Sequence, residues 1–305
     1  MPRPPSAVRR SRERRSLGAY LFLSPALILT IGLMFVPIGT VIYYSLINAA
    51  IVTRGRRIHF VGLDNYITVL KDPAFTSSIG HTLTFAVISV IFQMLLGLAF
   101  ALLLNSEAVS GITRAVFRTI MIIPWLFSIT IVVMLWRRLL LDPNGFVNYV
   151  LHLVGFDTVG YSWLGSMGTA MGVIIFINVW AGYPFFMISL LAGLQGVPGE
   201  LREAARVDGA NSFQRFWNVT RPHIAPIVVS MAVLDLIWNI QQFALIFLLT
   251  GGGPVGSTNV VAVYTYTSAF RAQTYSLASA SAVIILLVSL VLAGFYLFSR
   301  RRLAR

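Results

Sequence analysis

Along most of this chain the apolar residues do not alternate with polar ones; they run together. Six predominantly apolar stretches, 17–47, 79–104, 115–136, 168–195, 224–250 and 277–298, are separated by short polar segments. Each is long enough for a helix to cross a bilayer core, which takes about 20 residues. No water reaches backbone amides at that depth, so the stretches are predicted to be helices. The fold class is therefore all-α: a polytopic membrane protein with six transmembrane helices. The first stretch exceeds one crossing, and Pro25 and Pro37 are expected to bend it. The Arg- and Pro-rich segment 1–16 before it has no apolar character, and the run behind it is too long for a cleaved signal peptide. An uncleaved anchor is expected, giving a basic N-tail 1–16, a membrane domain 17–298 and a basic C-tail 299–305.

Composition agrees. Of the 305 residues 57% are hydrophobic and only 11% charged, against about 25% charged in soluble domains. Such a chain cannot cover a water-facing surface, which excludes a soluble enzyme, and it is too apolar to be disordered. With no cysteine, structural disulfides, thiolate catalysis and thiolate metal sites are excluded. The net charge of +13 comes from basic clusters between the apolar runs, so it orients the chain in a bilayer and does not point to nucleic acid. Sixteen of the 23 basic residues fall in the N-tail, the second-to-third junction (Arg114, Arg118), the fourth-to-fifth loop (Arg202, Arg206, Arg215, Arg221) and the C-tail. The other side holds seven, with Arg54, Arg56 and Arg57 running against the trend. Both termini and the fourth-to-fifth loop are expected in the cytoplasm.

Two loops on the other side carry local signals. Asp142-Pro143-Asn144-Gly145 is a turn, and Phe146 to Val154 reads as a short amphipathic surface helix. Gly251-Gly252-Gly253-Pro254 ends the fifth helix. Gly251, Gly253 and Gly256 match a nucleotide-binding glycine pattern in letters only, because no strand–turn–helix unit surrounds them. Lys71 is the sole lysine, so a P-loop is excluded.

The loop 197–223 is the most informative polar segment. Pro198 and Gly199 stop the fourth helix, and Glu200 to Val207 is helix-forming, with Glu200 and Glu203 placed to meet its dipole. Asp208 to Asn211 breaks it; Ser212 is expected to cap a second short helix that Pro222 closes. That helix carries Phe213, Phe216 and Trp217 at i, i+3 and i+4. One reading lays this hairpin on the headgroups, with Arg206 and Arg215 on phosphate. The other makes it a plug for a groove in a cytoplasmic partner.

Transporter sites lie near the midplane, where helices are interrupted. The fourth helix has Gly182-Tyr183-Pro184 at its middle, with Asn178, Gly182 and Phe185 on one face. The fifth has Asp235, Asn239 and Gln242 at the same spacing, beside Trp238. Carboxamides donate and accept, which suits sugar hydroxyls, and aromatic faces suit the C–H face of a pyranose. A neutral polyol fits this better than an ion. Asp235, the one acid inside a span, either binds hydroxyls or pairs with an arginine of a partner subunit. Asn178 either contacts substrate or bonds a neighbouring helix, and Gly182 either shapes the site or permits close packing. Gln93 is a lesser candidate; His59, His81, His152 and His223 show no ligand spacing; Ala278 and Ala282 form a small-residue packing face. The alternative function is an ion-coupled secondary sugar carrier, for which one acid and no visible repeat are thin equipment.

Glu203-Ala204-Ala205, followed at fixed intervals by Gly209, Val219 and Arg221-Pro222, resembles the E-A-A-x₃-G-x₉-I-x-L-P loop of ABC-importer permeases. Val219 replaces the isoleucine and Arg221 departs from the leucine. Asn178 to Pro184 and Leu248 to Pro254 extend the likeness to the carbohydrate branch, the maltose-transporter-like larger permease. The Arg-rich composition fits an actinobacterial disaccharide importer of the trehalose type. The resemblance implies the ABC-importer permease fold, with sugar contacts at the matching positions. It implies a bacterial cytoplasmic-membrane subunit that forms half of a sugar pathway with a second, homologous permease. It also implies two ATPase subunits, which carry the ATP and Mg2+, and an extracytoplasmic sugar-binding protein, lipoprotein or periplasmic. This chain would bind no cofactor and hydrolyse nothing. Glu203 and Gly209 would belong to the docking turn, Ala204 and Ala205 would share in the ATPase coupling, and Phe213, Phe216 and Trp217 would be the apolar anchors.

Overall fold

The computed structural model describes residues 22–48, 58–106, 109–141, 145–156 and 160–303. The N-tail 1–16, the cluster Arg54, Arg56 and Arg57, and Asp142 to Asn144 of the expected turn lie outside them.

The first span is α1, Phe22–Ser45. Its irregularity is one π-helical turn, Ile31–Phe35, just ahead of Pro37. A proline removes an N–H and crowds the preceding turn, and a wider turn absorbs both effects. A short α2, Asp64–Lys71, which the apolar pattern does not show, precedes α3, Pro73–Asn105. The second span is therefore longer than the apolar run, because Asp72 caps it through the Ala74 amide (2.9 Å) and Pro73 takes the first turn.

The stretch 115–136 is not one helix. It divides into α4, Gly111–Leu126, and α5, Ile129–Leu139, whose axes differ by 96°. Pro124 weakens the end of α4, Phe127 is extended, and Ser128 caps α5. After it come the surface helix α6, Phe146–Leu153, and α7, Ala170–Gln195, the fourth crossing.

The loop hairpin has α8, Gly199–Val207, then a chain reversal at Gly209. Two expectations fail beyond it. The cap is Asn211, not Ser212: the Asn211 side chain accepts from the Gln214 amide and the Gln214 side chain accepts from the Asn211 amide, both at 2.9 Å. Pro222 does not close the second helix. Helix α9 runs from Ser212 to Ile240, with a π-helical turn at Phe216–Thr220 where Pro222 would otherwise clash. At its far end the stretch 224–250 breaks at Gln241, and α10, Ala244–Thr250, follows, ended by Gly251 in the left-handed region (φ 64°). Helix α11, Val261–Phe270, is another element missing from the apolar pattern; α12, Tyr275–Leu303, is the last span.

Helix α7 is the centre of the fold. Toward its start, Ile174 and Ile177 pack with Phe85, Leu245 and Ile246; toward its end, Phe186, Met187, Leu190 and Leu194 pack with Ala101 and Ile224. The changeover falls at Gly182. Among the described residues helices α3 and α7 make the most extensive contact, and Gly97 permits it: a Cβ there would run into the Phe186 Cβ and lie 2.9 Å from the Met187 amide nitrogen. Gly97→Ala is expected to lower Tm in detergent by several degrees, the effect of about 1–3 kcal/mol of overpacking. Gly80→Ala, on the same helix with nothing within 4 Å of the added Cβ, is expected to leave Tm unchanged.

Candidate functional site

Asn178, Gly182 and Phe185 on α7, and Asp235, Trp238, Asn239 and Gln242 on or just after α9, all line one cavity of about 260 Å³. Gln242 reaches it from the break after α9 and not from a continuous helical face. The other lining residues include Gln93 and, from the broken span, Pro124, Trp125, Phe127, Ile129 and Val132. Sequence reasoning missed that wall by treating 115–136 as straight. The signal was Pro124 four residues ahead of a capping Ser128.

A chain of amide hydrogen bonds forms the polar side. Gln93 Nε2 on α3 donates to the Asn178 backbone carbonyl (3.0 Å), and Asn178 Nδ2 donates to Asn239 Oδ1 (2.7 Å). Asn239 Nδ2 donates to the carbonyl and to Oδ2 of Asp235, both at 2.9 Å. Asn178 thus does bond a neighbouring helix, as the structural alternative had it, and it lines the cavity as well. All four residues are at least nine-tenths buried. Asn239 Nδ2 spends both of its N–H groups, whereas Gln93 Nε2 and Asn178 Nδ2 each spend one. Gln93 Oε1 is buried with no partner, and among the described residues Asn178 Oδ1 and Asp235 Oδ1 receive no hydrogen bond. Gln93 Oε1 is the costly one, a buried acceptor without a donor, and the open oxygens of Asn178 and Asp235 suit a ligand that brings hydroxyl hydrogens.

Gly182 serves both alternatives weighed for it. A Cβ there would meet the Gln93 carboxamide at 2.2 Å, so the glycine keeps room for the amide that starts the chain. The apolar side is aromatic: the Phe185 ring lies 5.4 Å from Trp238 and 6.3 Å from Trp125. Trp238 is 53% exposed, unusual for the largest side chain beside a buried network.

The loop hairpin forms a second region. Gly209 has φ 77° with nothing within 4 Å of an added Cβ, so the backbone conformation and not space demands glycine. Phe213 and Trp217 stack at 6.0 Å with 14° between their planes, and both are exposed. The Arg221 guanidinium caps the Trp217 face at 4.4 Å, which accounts for the departure from leucine there. Phe216 turns away from this pair and, with Glu203, lines a cavity between the hairpin and the end of α3. Ala204 is exposed and Ala205 half-buried.

Residues 93–305 match the family described as binding-protein-dependent transport system inner membrane component. The chain is 37% identical over 271 residues to a probable ABC transporter permease of Sinorhizobium fredii, covering 89% of this chain and 86% of that one. It is 34% identical over 286 residues to the permease of a trehalose/maltose transport system of Thermococcus litoralis, covering 94% of each. In three dimensions it superposes with TM-score 0.84 and 26% identity on a chain of the bacterial alginate ABC transporter, solved in complex with an alginate pentasaccharide-bound periplasmic protein, over 97% of this chain and 98% of that one. The chain belongs to the binding-protein-dependent transport system inner membrane components: it is a multi-pass ABC-importer permease, a transport component and not an enzyme.

Proposed function

We propose that this permease lines half of the translocation pathway for a neutral di- or oligosaccharide, a trehalose-type disaccharide being the best fit. The observation that carries this reading is the cavity's composition. The amides and carboxylate of Gln93, Asn178 and Asp235 line the same cavity as Phe185, Trp238 and Trp125, with oxygens of Asn178 and Asp235 that receive no hydrogen bond among the described residues. Sugar hydroxyls would donate to those oxygens, and the C–H face of a pyranose would lie on the aromatic rings. The trehalose/maltose relative supports a neutral sugar, and Asp235 stays a lone membrane acid among neutral amides. Ion coupling has no observation in its favour.

On this reading the chain sits in a bacterial cytoplasmic membrane with both termini inside. It pairs with a second, homologous permease and receives sugar from an extracytoplasmic binding protein. The hairpin of α8 and the start of α9 docks on one of two ATPase subunits, which hold the ATP and Mg2+; this chain binds no cofactor. Phe213 and Trp217 are the exposed apolar anchors and Gly209 sets the reversal between the two helices. Helix α9 is unbroken from Phe213 to Asn239. A push on the hairpin would therefore travel about 40 Å along one rod, at 1.5 Å per residue, and arrive at the sugar site.

Asn239→Ala is expected to cut sugar uptake into proteoliposomes about tenfold or more, since it removes the link between Asn178 and Asp235. The ATPase subunits should still co-purify; wild-type uptake would remove Asn239 from the pathway. Gly209→Val is expected to abolish uptake and to lose or uncouple the ATPase, because a β-branched residue is strained at positive φ. Gly199→Val, at an open position with ordinary φ, should do neither, and co-purification with stimulated ATPase activity in both variants would defeat the docking assignment.

A further inference from the structure

The cavity under the hairpin, about 480 Å³, has a different chemistry from the sugar cavity. Arg202 and Arg206, one turn apart on α8, line it with Arg215 from the start of α9. Glu203 is the one acid among the lining residues. Arg215 donates to Ser212 Oγ at 3.1 Å; Arg202 and Arg206 make no hydrogen bond or ion pair among the described residues. Behind the wall, Arg114 Nη2 donates to the carbonyls of Ser106 (2.9 Å) and Val109 (3.2 Å), while its Nε is buried with no partner. Three arginines line one space with Glu203 as the single carboxylate among them, a lining of net positive charge that attracts a further anion. Their planar forks match phosphate oxygens.

We propose that this cavity holds a phosphate group, and that the phosphate is the headgroup of an anionic phospholipid. Its depth argues for the lipid. It lies beside Asn105, the last residue of α3, and Thr220, ahead of the apolar part of α9, so the apolar lengths of these two spans put it at their polar ends. Leu102 and Phe216 give it an apolar edge for the first methylenes of an acyl chain. Hydroxyls of Ser212 and Thr220 complete the polar lining. The exposed pair Phe213 and Trp217 does not line this cavity. One hairpin thus offers a headgroup site on its inner side and leaves its aromatic pair open to a protein on the other, so the two uses are compatible. The proposal does not depend on the sugar reading.

The test uses the full-length chain in detergent, with thermal unfolding and native mass spectrometry. The additives are phosphatidylglycerol, phosphatidylcholine and inorganic phosphate. Phosphatidylglycerol is expected to raise Tm by several degrees and to remain bound in the gas phase, and phosphatidylcholine to do neither. Arg202→Gln/Arg206→Gln is expected to weaken phosphatidylglycerol binding about tenfold or more. Arg202→Lys/Arg206→Lys, which keeps the charge but not the forks, should fall between, and Arg118→Gln, an exposed position outside the cavity, should match wild type. Because the lipid comparison is made on the wild-type chain, a variant that misfolds does not spoil it. Equal stabilisation by the two lipids, or phosphatidylglycerol binding undiminished in the double Gln variant, overturns the proposal. A shift reproduced by inorganic phosphate alone, and lost in that variant, overturns the lipid source and assigns the site to a soluble phosphate.

Discussion

A relay of buried amides governs this molecule. Gln93, Asn178 and Asn239 pass hydrogen bonds from α3 through α7 to α9 and end on Asp235. In hydrocarbon no water relieves a polar side chain that lacks a partner, so each amide must sit where the next one can reach it. That requirement fixes three helices at one depth and one rotation. It also explains Gly182, the position at which any side chain would drive out the first amide of the series. Dispersion packing above and below, on either half of α7, then needs only to fill space around a register that is already set.

The relay ends on the same helix that begins in the hairpin. Because α9 is continuous through the π-helical turn at Phe216–Thr220, the polar network and the exposed aromatic pair belong to one mechanical element. An importer must couple events on the two sides of a membrane, and a helix is stiff along its axis in a way a loop is not. The sequence pattern suggests a proline stop between these two regions. Pro222 has the opposite outcome: the widened turn ahead of it lets the helix pass.

What was legible in the sequence follows from what hydrocarbon enforces. Five of the six expected spans were readable because length and apolarity suffice, while the third stretch is a pair of helices at 96° that makes a sixth only if the pair is one span. The stripe residues came out together because i, i+4 and i+7 share a face of any helix, and Gly182-Tyr183-Pro184 marked the depth. Less legible were features decided by a single residue's hydrogen bonds. Asn211 outcompetes Ser212 as a cap because Gln214 answers it reciprocally. Helix α2 is too short and too polar to stand out and α11 too short, and tertiary contacts such as Tyr264 on Asp72 (2.7 Å) hold α11 against the start of α3. The departure of Arg221 from the loop pattern becomes intelligible only with its guanidinium in place over Trp217.

The elbow between α4 and α5 changes what the inner wall can offer. A helix end leaves its last carbonyls and the next helix's first amides without intrahelical partners, and here the elbow residues Pro124, Trp125, Phe127 and Ile129 border the space where cargo would rest. Of the amides that open α5, Ile131 is answered by Ser128. The remaining main-chain dipoles give an outwardly greasy surface a hidden capacity for polar recognition. Side-chain replacement cannot erase that capacity. A mutational survey of this wall would under-report its part in selectivity, and only changes that straighten the elbow would expose it.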